Sequence, residues 1–142
     1  MVFFKWKEEY ELGLPHIDLQ HTMIVNMMNE LFVDLGSKKS PETIKKTLDK
    51  LLLYVDEHFS EEETAMLEND YPDKDAHFAE HEQFRQDVDA LRQRHKIDGY
   101  LAASEMIEFL KSWLRNHIAE VDKKFGNYVC ALSEEAQKKF FQ

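Results

Sequence analysis

Four stretches of this chain place apolar residues at alternating steps of four and three, a rhythm that suits helices sharing one core. The first runs Ile17, His21, Ile24, Met28, Leu31 and Leu35, and the second Ile44, Leu48, Leu51, Val55, His58, Glu62 and Met66. The third gives His77, His81, Phe84, Val88, Leu91 and His95; the fourth gives Met106, Leu110, Trp113 and His117, then Val121. Only four glycines and three prolines in 142 residues leave little material for hairpins. The predicted fold is therefore all-α. It is an antiparallel up-down-up-down four-helix bundle with an irregular N-terminal arm and a short C-terminal helix.

The chain reads as a single domain over 1–142: an arm over 1–17, a bundle over about 18–126 and a tail over 127–142. The spacing predicts a first helix from Asp18, as N-cap, to Leu35, stopped by Gly36. The second has Ser40 as N-cap and Pro41 at its first position, and runs to Glu68 before Asn69, Asp70 and Pro72 break it. The third spans Asp73 to Lys96, and the fourth Tyr100 to Phe125 with Gly126 as its stop. A short tail helix follows Ser133.

Charge narrows the partners. A net charge of −10 repels phosphate backbones and anionic lipid, which argues against nucleic acid and membrane surfaces. No apolar run approaches the roughly 20 residues that span a bilayer, so membrane insertion is not expected. The opening MVFFKWKEEYE turns charged too soon for a secretory signal. One cysteine, Cys130, cannot form an internal disulfide, which fits a cytoplasmic protein with a plain, partly buried thiol.

The core stripes themselves hold the oddity. His21, His58, Glu62, His77, His81 and His117 all lie on inward faces. A lone core histidine is ordinarily just a hydrogen-bonded one, but an unpaired buried polar group costs roughly 2–7 kcal/mol. Six on four faces must be satisfied together. Antiparallel packing brings the starts of the first and third helices beside the ends of the second and fourth. At 1.5 Å per residue, these six and Asp122 then fall within roughly 15 Å of one end.

Histidine with glutamate four residues on (His58, Glu62), and histidine with histidine four residues on (His77, His81), each put two donors on one face a turn apart. Imidazole with carboxylate and no thiolate suits iron, zinc, copper or manganese. Five imidazoles and two carboxylates exceed one ion, and two ions sharing both carboxylates is the natural count. Asp122 is the awkward member. Five residues after His117, it points about 140° away on an ideal helix. Either the fourth helix is locally distorted, as by a π-bulge, or Asp122 reaches in from the flank. His16, ahead of the first helix, reads as surface or arm packing, and His95 as an end-of-helix residue about four turns from the cluster. Of Glu61, Glu62 and Glu63, only Glu62 points inward.

The segments IDLQH (17–21), HFSEEE (58–63), HFAEH (77–81) and WLRNHIAEVDKKF (113–125) resemble those of the hemerythrin family, and the length is most similar to its single-domain bacterial members. The resemblance implies a non-haem diiron centre. His77, His81 and His117 would hold one iron and His21 and His58 the other, bridged by Glu62, Asp122 and an oxo or hydroxo group. The first iron is then six-coordinate and full. The second is five-coordinate, with one position open to dioxygen. Ile24, one turn beyond His21, and Leu114 and Ile118, flanking His117, would wall that position, and the resemblance points to the same three. It implies reversible dioxygen binding for transport, storage or delivery, and no enzyme activity. An oxygen, iron or nitric oxide sensing module, or a diiron enzyme with weak oxidase or peroxidase activity, is the alternative reading. Diiron oxidases and oxygenases typically use four carboxylates and two histidines, and five imidazoles here favour binding over activation. Any oxygen-consuming partner is left unnamed by the residues.

Overall fold

A computed structural model describes residues 3–94 and 99–141, with side chains up to Ser133. Helix α1 covers Pro15–Gly36, α2 Pro41–Glu68, α3 Lys74–Arg94, α4 Gly99–Asn116 and α5 Lys123–Phe141, and one π-helical turn, His117–Asp122, joins α4 to α5. The arrangement is the expected all-α bundle. No helix among the described residues is long and apolar enough to cross a membrane.

Helix α2 begins as its sequence signals. Ser40 Oγ accepts from Thr43 N at 3.2 Å and Pro41 opens the first turn, so one orphan N–H is capped and the missing one was not needed. Helix α1 begins three residues earlier than expected, because Pro15 is the initiator. His16 therefore lies within α1, not ahead of it. Asp18 caps nothing on its own helix. Its carboxylate takes Leu12 N at 2.8 Å and Gly13 N at 3.1 Å, tying the incoming arm to the first turn. Gly13 makes that turn at φ +82°, a conformation that favours glycine.

Gly126 is the second correction. It does not stop a helix, since α5 runs through it to Phe141. A Cβ there would stand 2.8 Å from the Leu12 carbonyl oxygen and 2.9 Å from Leu12 Cβ. The glycine lets the arm lie directly on the helix, and the expected separate tail helix is the continuation of α5. The expected end of the third helix, Lys96, and with it His95, falls outside the described residues.

Most stripe positions are buried as counted, including Ile24, Met28, Leu31, Leu51, Val55, Phe84, Met106 and Leu110. Fully burying one such side chain is worth about 1.5–3 kcal/mol, and together they form the mid-bundle core. A smaller apolar group, Leu12, Ile17, Met66, Tyr71 and Phe125, closes one end. The polar residues of the four stripes are held between these two clusters. Cys130 is half-buried, with Sγ 3.8 Å from the Leu12 carbonyl oxygen.

Candidate metal centre

All seven predicted donors meet, and each is at most 3% exposed. Ring and carboxylate atoms of Glu62, His77, His81, His117 and Asp122 lie within 4.8 Å of one another, as do those of His21, His58, Glu62 and Asp122. The two carboxylates belong to both groups. Glu62 Oε1 faces His77 Nε2 at 2.6 Å and His81 Nε2 at 3.3 Å, whereas its Oε2 faces His58 Nε2 at 3.5 Å and His21 Nε2 at 4.0 Å. Asp122 Oδ1 lies 2.9 Å from His77 Nε2 and 3.0 Å from His117 Nε2, and Oδ2 lies 3.2 Å from His21 Nε2. Each carboxylate thus spans a three-imidazole half and a two-imidazole half.

The π-helical turn explains Asp122. Asn116 and Lys123 on either side keep helical dihedrals, so the helix continues but takes one wider, i→i+5 turn. A residue five along from His117 is thereby brought to the same side. Asp122 is fully buried while Val121, which the regular stripe had placed inward, is only partly so. Of the two alternatives open at the sequence, local distortion is the one realised.

This donor set asks for cations. Nε2 of His21 and of His58 are 3.0 Å apart, and Nε2 of His117 is 3.2 Å from those of both His77 and His81. With neutral rings turning their Nε2 lone pairs inward, none of the four carboxylate oxygens has a hydrogen-bond donor among the described residues. Uncompensated buried carboxylates cost several kcal/mol each. Donor atoms about 2.1 Å from one ion and at right angles to it lie about 3.0 Å apart, which is the spacing found. The nitrogen–oxygen composition, without thiolate, suits a first-row divalent metal.

Without metal, protons perform part of that neutralisation, unevenly. Burial opposes charging of His77 and His117, but the adjacent Asp122 and Glu62 carboxylates outweigh it and raise them to about 9 and about 10. Burial dominates at His58 and lowers it to about 4, only partly offset by Glu62. Asp122 is held well below the usual carboxylate range: burial opposes this, but the imidazoles of His117, His21 and His77 prevail.

Neighbouring rings orient the donors. Phe59 stacks on His81 at 3.9 Å and 5°, and Trp113 on His117 at 4.2 Å and 16°. Trp6, from the arm, lies 6.4 Å from the His21 ring. Three supporting residues escaped the sequence reading. Gln20 Oε1 meets His58 Nδ1 at 2.6 Å, Glu80 Oε2 lies 3.3 Å from His117 Nδ1, and Glu63 Oε1 lies 3.6 Å from His81 Nδ1. Glu63 is therefore not simply part of a solvated face, and Arg85 holds it from the other side at 3.4 Å. The positions of Glu63 and Glu80 beside ligand residues were a signal that could have been used.

The family model of the hemerythrin HHE cation binding domain matches residues 12–129. The chain belongs to the hemerythrin family. It is 33% identical over 127 residues to the bacteriohemerythrin of Methylococcus capsulatus, covering 89% of this chain and 96% of that one. It is 30% identical to the bacteriohemerythrin of Clostridium acetobutylicum, covering 86% and 98%. A crystal structure of a hemerythrin point mutant superposes with a TM-score of 0.78 at 31% identity, over 90% of this chain and 98% of that one. The hemerythrin domain is a metal-binding one, and the buried cluster lies inside the matched span.

Proposed function

We propose that this hemerythrin-family chain, acting as one domain over 1–142, binds molecular oxygen reversibly at a non-haem diiron centre for transport, storage or delivery, without enzymatic turnover. The observation that carries the reading is the shared pair of carboxylates, each with one oxygen toward each set of imidazoles. His77, His81 and His117 would hold one iron, His21 and His58 the other, with Glu62, Asp122 and a solvent-derived oxo or hydroxo group bridging. When bound, the two ferrous ions supply the two electrons that a dioxygen ligand takes up and returns.

The protein's own part is to position and to exclude. Three imidazoles and two carboxylate oxygens, with the bridge, would complete one coordination shell; two imidazoles would leave the other one donor short. Ile24, Leu114 and Ile118 are at most 1% exposed and follow or precede ligand residues on α1, α4 and the π-helical turn. Their apolar surface keeps water and protons from the short side, which favours release of the gas unchanged. Five imidazoles to two carboxylates is a donor set less suited to high-valent iron than the four-carboxylate sets of bundle oxygenases. A reducing cytoplasm suits a chain whose one thiol is half-buried.

The test is an optical cycle. The reduced, iron-loaded protein should gain a visible charge-transfer band on admission of air, take up one dioxygen per chain, and lose the band under vacuum. A protein that bleaches irreversibly, or that binds zinc alone in iron-replete medium, would refute the reading.

A further inference from the structure

The two halves of the centre are backed differently behind their imidazoles, by carboxylates on one side and by a neutral amide on the other. To offer a bare Nε2 to an ion, His58 must carry its ring proton on Nδ1. That nitrogen donates to Gln20 Oε1 at 2.6 Å. The far end of the same amide, Gln20 Nε2, donates to Glu61 Oε2. Glu61 Oε2 also accepts from His16 Nε2 at 3.0 Å. Gln20 is 8% exposed, while Glu61 and His16 stand in solvent.

Donor and acceptor roles along this chain admit one arrangement. Gln20 Nε2 and His16 Nε2 are 3.2 Å apart, but both direct hydrogens at the carboxylate between them. An ionised carboxylate only accepts, so Glu61 dictates that the NH₂ end of Gln20 faces outward. The carbonyl end must then face His58, which fixes the proton on Nδ1 and the lone pair on Nε2. Among the described residues, no other imidazole has an amide at Nδ1, and His81 has the Glu63 carboxylate 3.6 Å from its own. His117 has a carboxylate oxygen 3.3 Å from Nδ1, and His21 and His77 have no hydrogen-bond partner there. Among the described residues, the two-imidazole half thus has a neutral amide as its one Nδ1 partner.

We infer that Gln20 is a positioning residue. Its amide, oriented and polarised by Glu61, sets the tautomer and donor strength of His58 and through it the reduction potential of the ion held by His21 and His58. The inference rests on the diiron reading and deepens it. A carboxylate on Nδ1 makes an imidazole a stronger donor and favours the ferric state; loss of the acceptor does the opposite.

Two variants of the iron-loaded protein test this by their midpoint potentials, with iron content measured on the same samples. Gln20→Met keeps an unbranched side chain of similar length but removes the acceptor, and the potential should rise. The double exchange Gln20→Glu with Glu61→Gln keeps composition and net charge, places the carboxylate on His58 and the amide outside, and the potential should fall. Residues that merely pack would give no shifts of opposite sign. Unchanged potentials, shifts in the same direction, or loss of iron from the exchanged variant would overturn the inference. Should Gln20→Met not take up iron, the exchanged variant decides alone. A parent protein that takes up no iron would instead overturn the diiron reading itself.

Discussion

The three-imidazole half and the two-imidazole half share their carboxylates and little else. The first is clamped by stacked rings, Phe59 on His81 and Trp113 on His117, with Glu80 and the Glu63–Arg85 pair behind it. The second is lined by α1 and α2, oriented by the Gln20 amide and covered by an arm that α1 holds through Asp18. Charge divides them too. In the metal-free protein His77 and His117 keep their protons to about 9 and about 10, while His58 gives its proton up above about 4. On the proposed diiron reading, one half would be saturated and fixed, and the other left one donor short.

The largest effect should come from removing what the halves share. Glu62→Ala deletes the oxygens facing both sides and should reduce iron from about two per chain to well below one. His58→Ala cuts only the two-imidazole half and should leave about one. These stoichiometries follow from losing a charged donor that both halves share against losing an imidazole that only one half uses, and metal analysis of the two purified variants checks them. Equal losses would mean that the halves are not separate sites.

Metal removal comes next. The apoprotein should keep its helices but lose thermal stability, with hydrogen exchange rising first around His58 and His77 and last near Leu48 and Leu110. Its pH dependence has a definite sign. For His77 and His117 the folded values are raised, so their stabilisation is fully present below about 6.5 and lost as pH climbs through about 9 to about 10. His58 is lowered, so acid destabilises the fold as pH falls from about 6.5 toward about 4. Metal uptake at pH 7 should accordingly release about two protons from the three-imidazole half, and at least one more from the water that supplies the bridge. Calorimetry in buffers of different ionisation enthalpy counts them, and no release would contradict the assignment.

Much of this centre was legible because helices announce it. Pairs four residues apart on an apolar stripe, His58 with Glu62 and His77 with His81, can only converge if the stripes pack. Asp122 was half-legible: its spacing from His117 asked for either a distortion or a reach from the flank, and a π-helical turn leaves no mark in hydrophobic periodicity that would decide between them. Gly126 was misread because a glycine that ends a helix and one that admits a neighbouring backbone look alike in sequence. The start of α1 was missed although Pro15 signalled it, because Asp18 imitates an N-cap while serving the arm. Gln20 stands beside His21 in the sequence, but its role could not be read there, since its partners come from α2 and depend on how two helices are set against each other.

A milder contrast separates pocket wall from plain packing. Leu114 and Leu110 are both buried and a turn apart on α4. Replacement of either by alanine should cost about 2–5 kcal/mol and leave iron content intact. Only Leu114→Ala should speed autoxidation of the oxygenated protein, and stopped-flow decay rates of the two variants decide whether the wall is real. The smallest effect is expected at the arm. Gly126→Ala forces a Cβ to 2.8 Å from the Leu12 carbonyl oxygen, which should shift the arm at a cost of about 1–3 kcal/mol. Changed Trp6 fluorescence with unchanged iron content would report it.

The central claim, two irons in unequal halves with one position open, is most directly tested by Mössbauer spectroscopy of the reduced protein loaded with isotopically enriched iron. The account predicts two quadrupole doublets of equal area and different splitting, both altered on exposure to air and both restored under vacuum. A single doublet, or a spectrum in which air leaves half the iron permanently oxidised and the other half untouched, would contradict it.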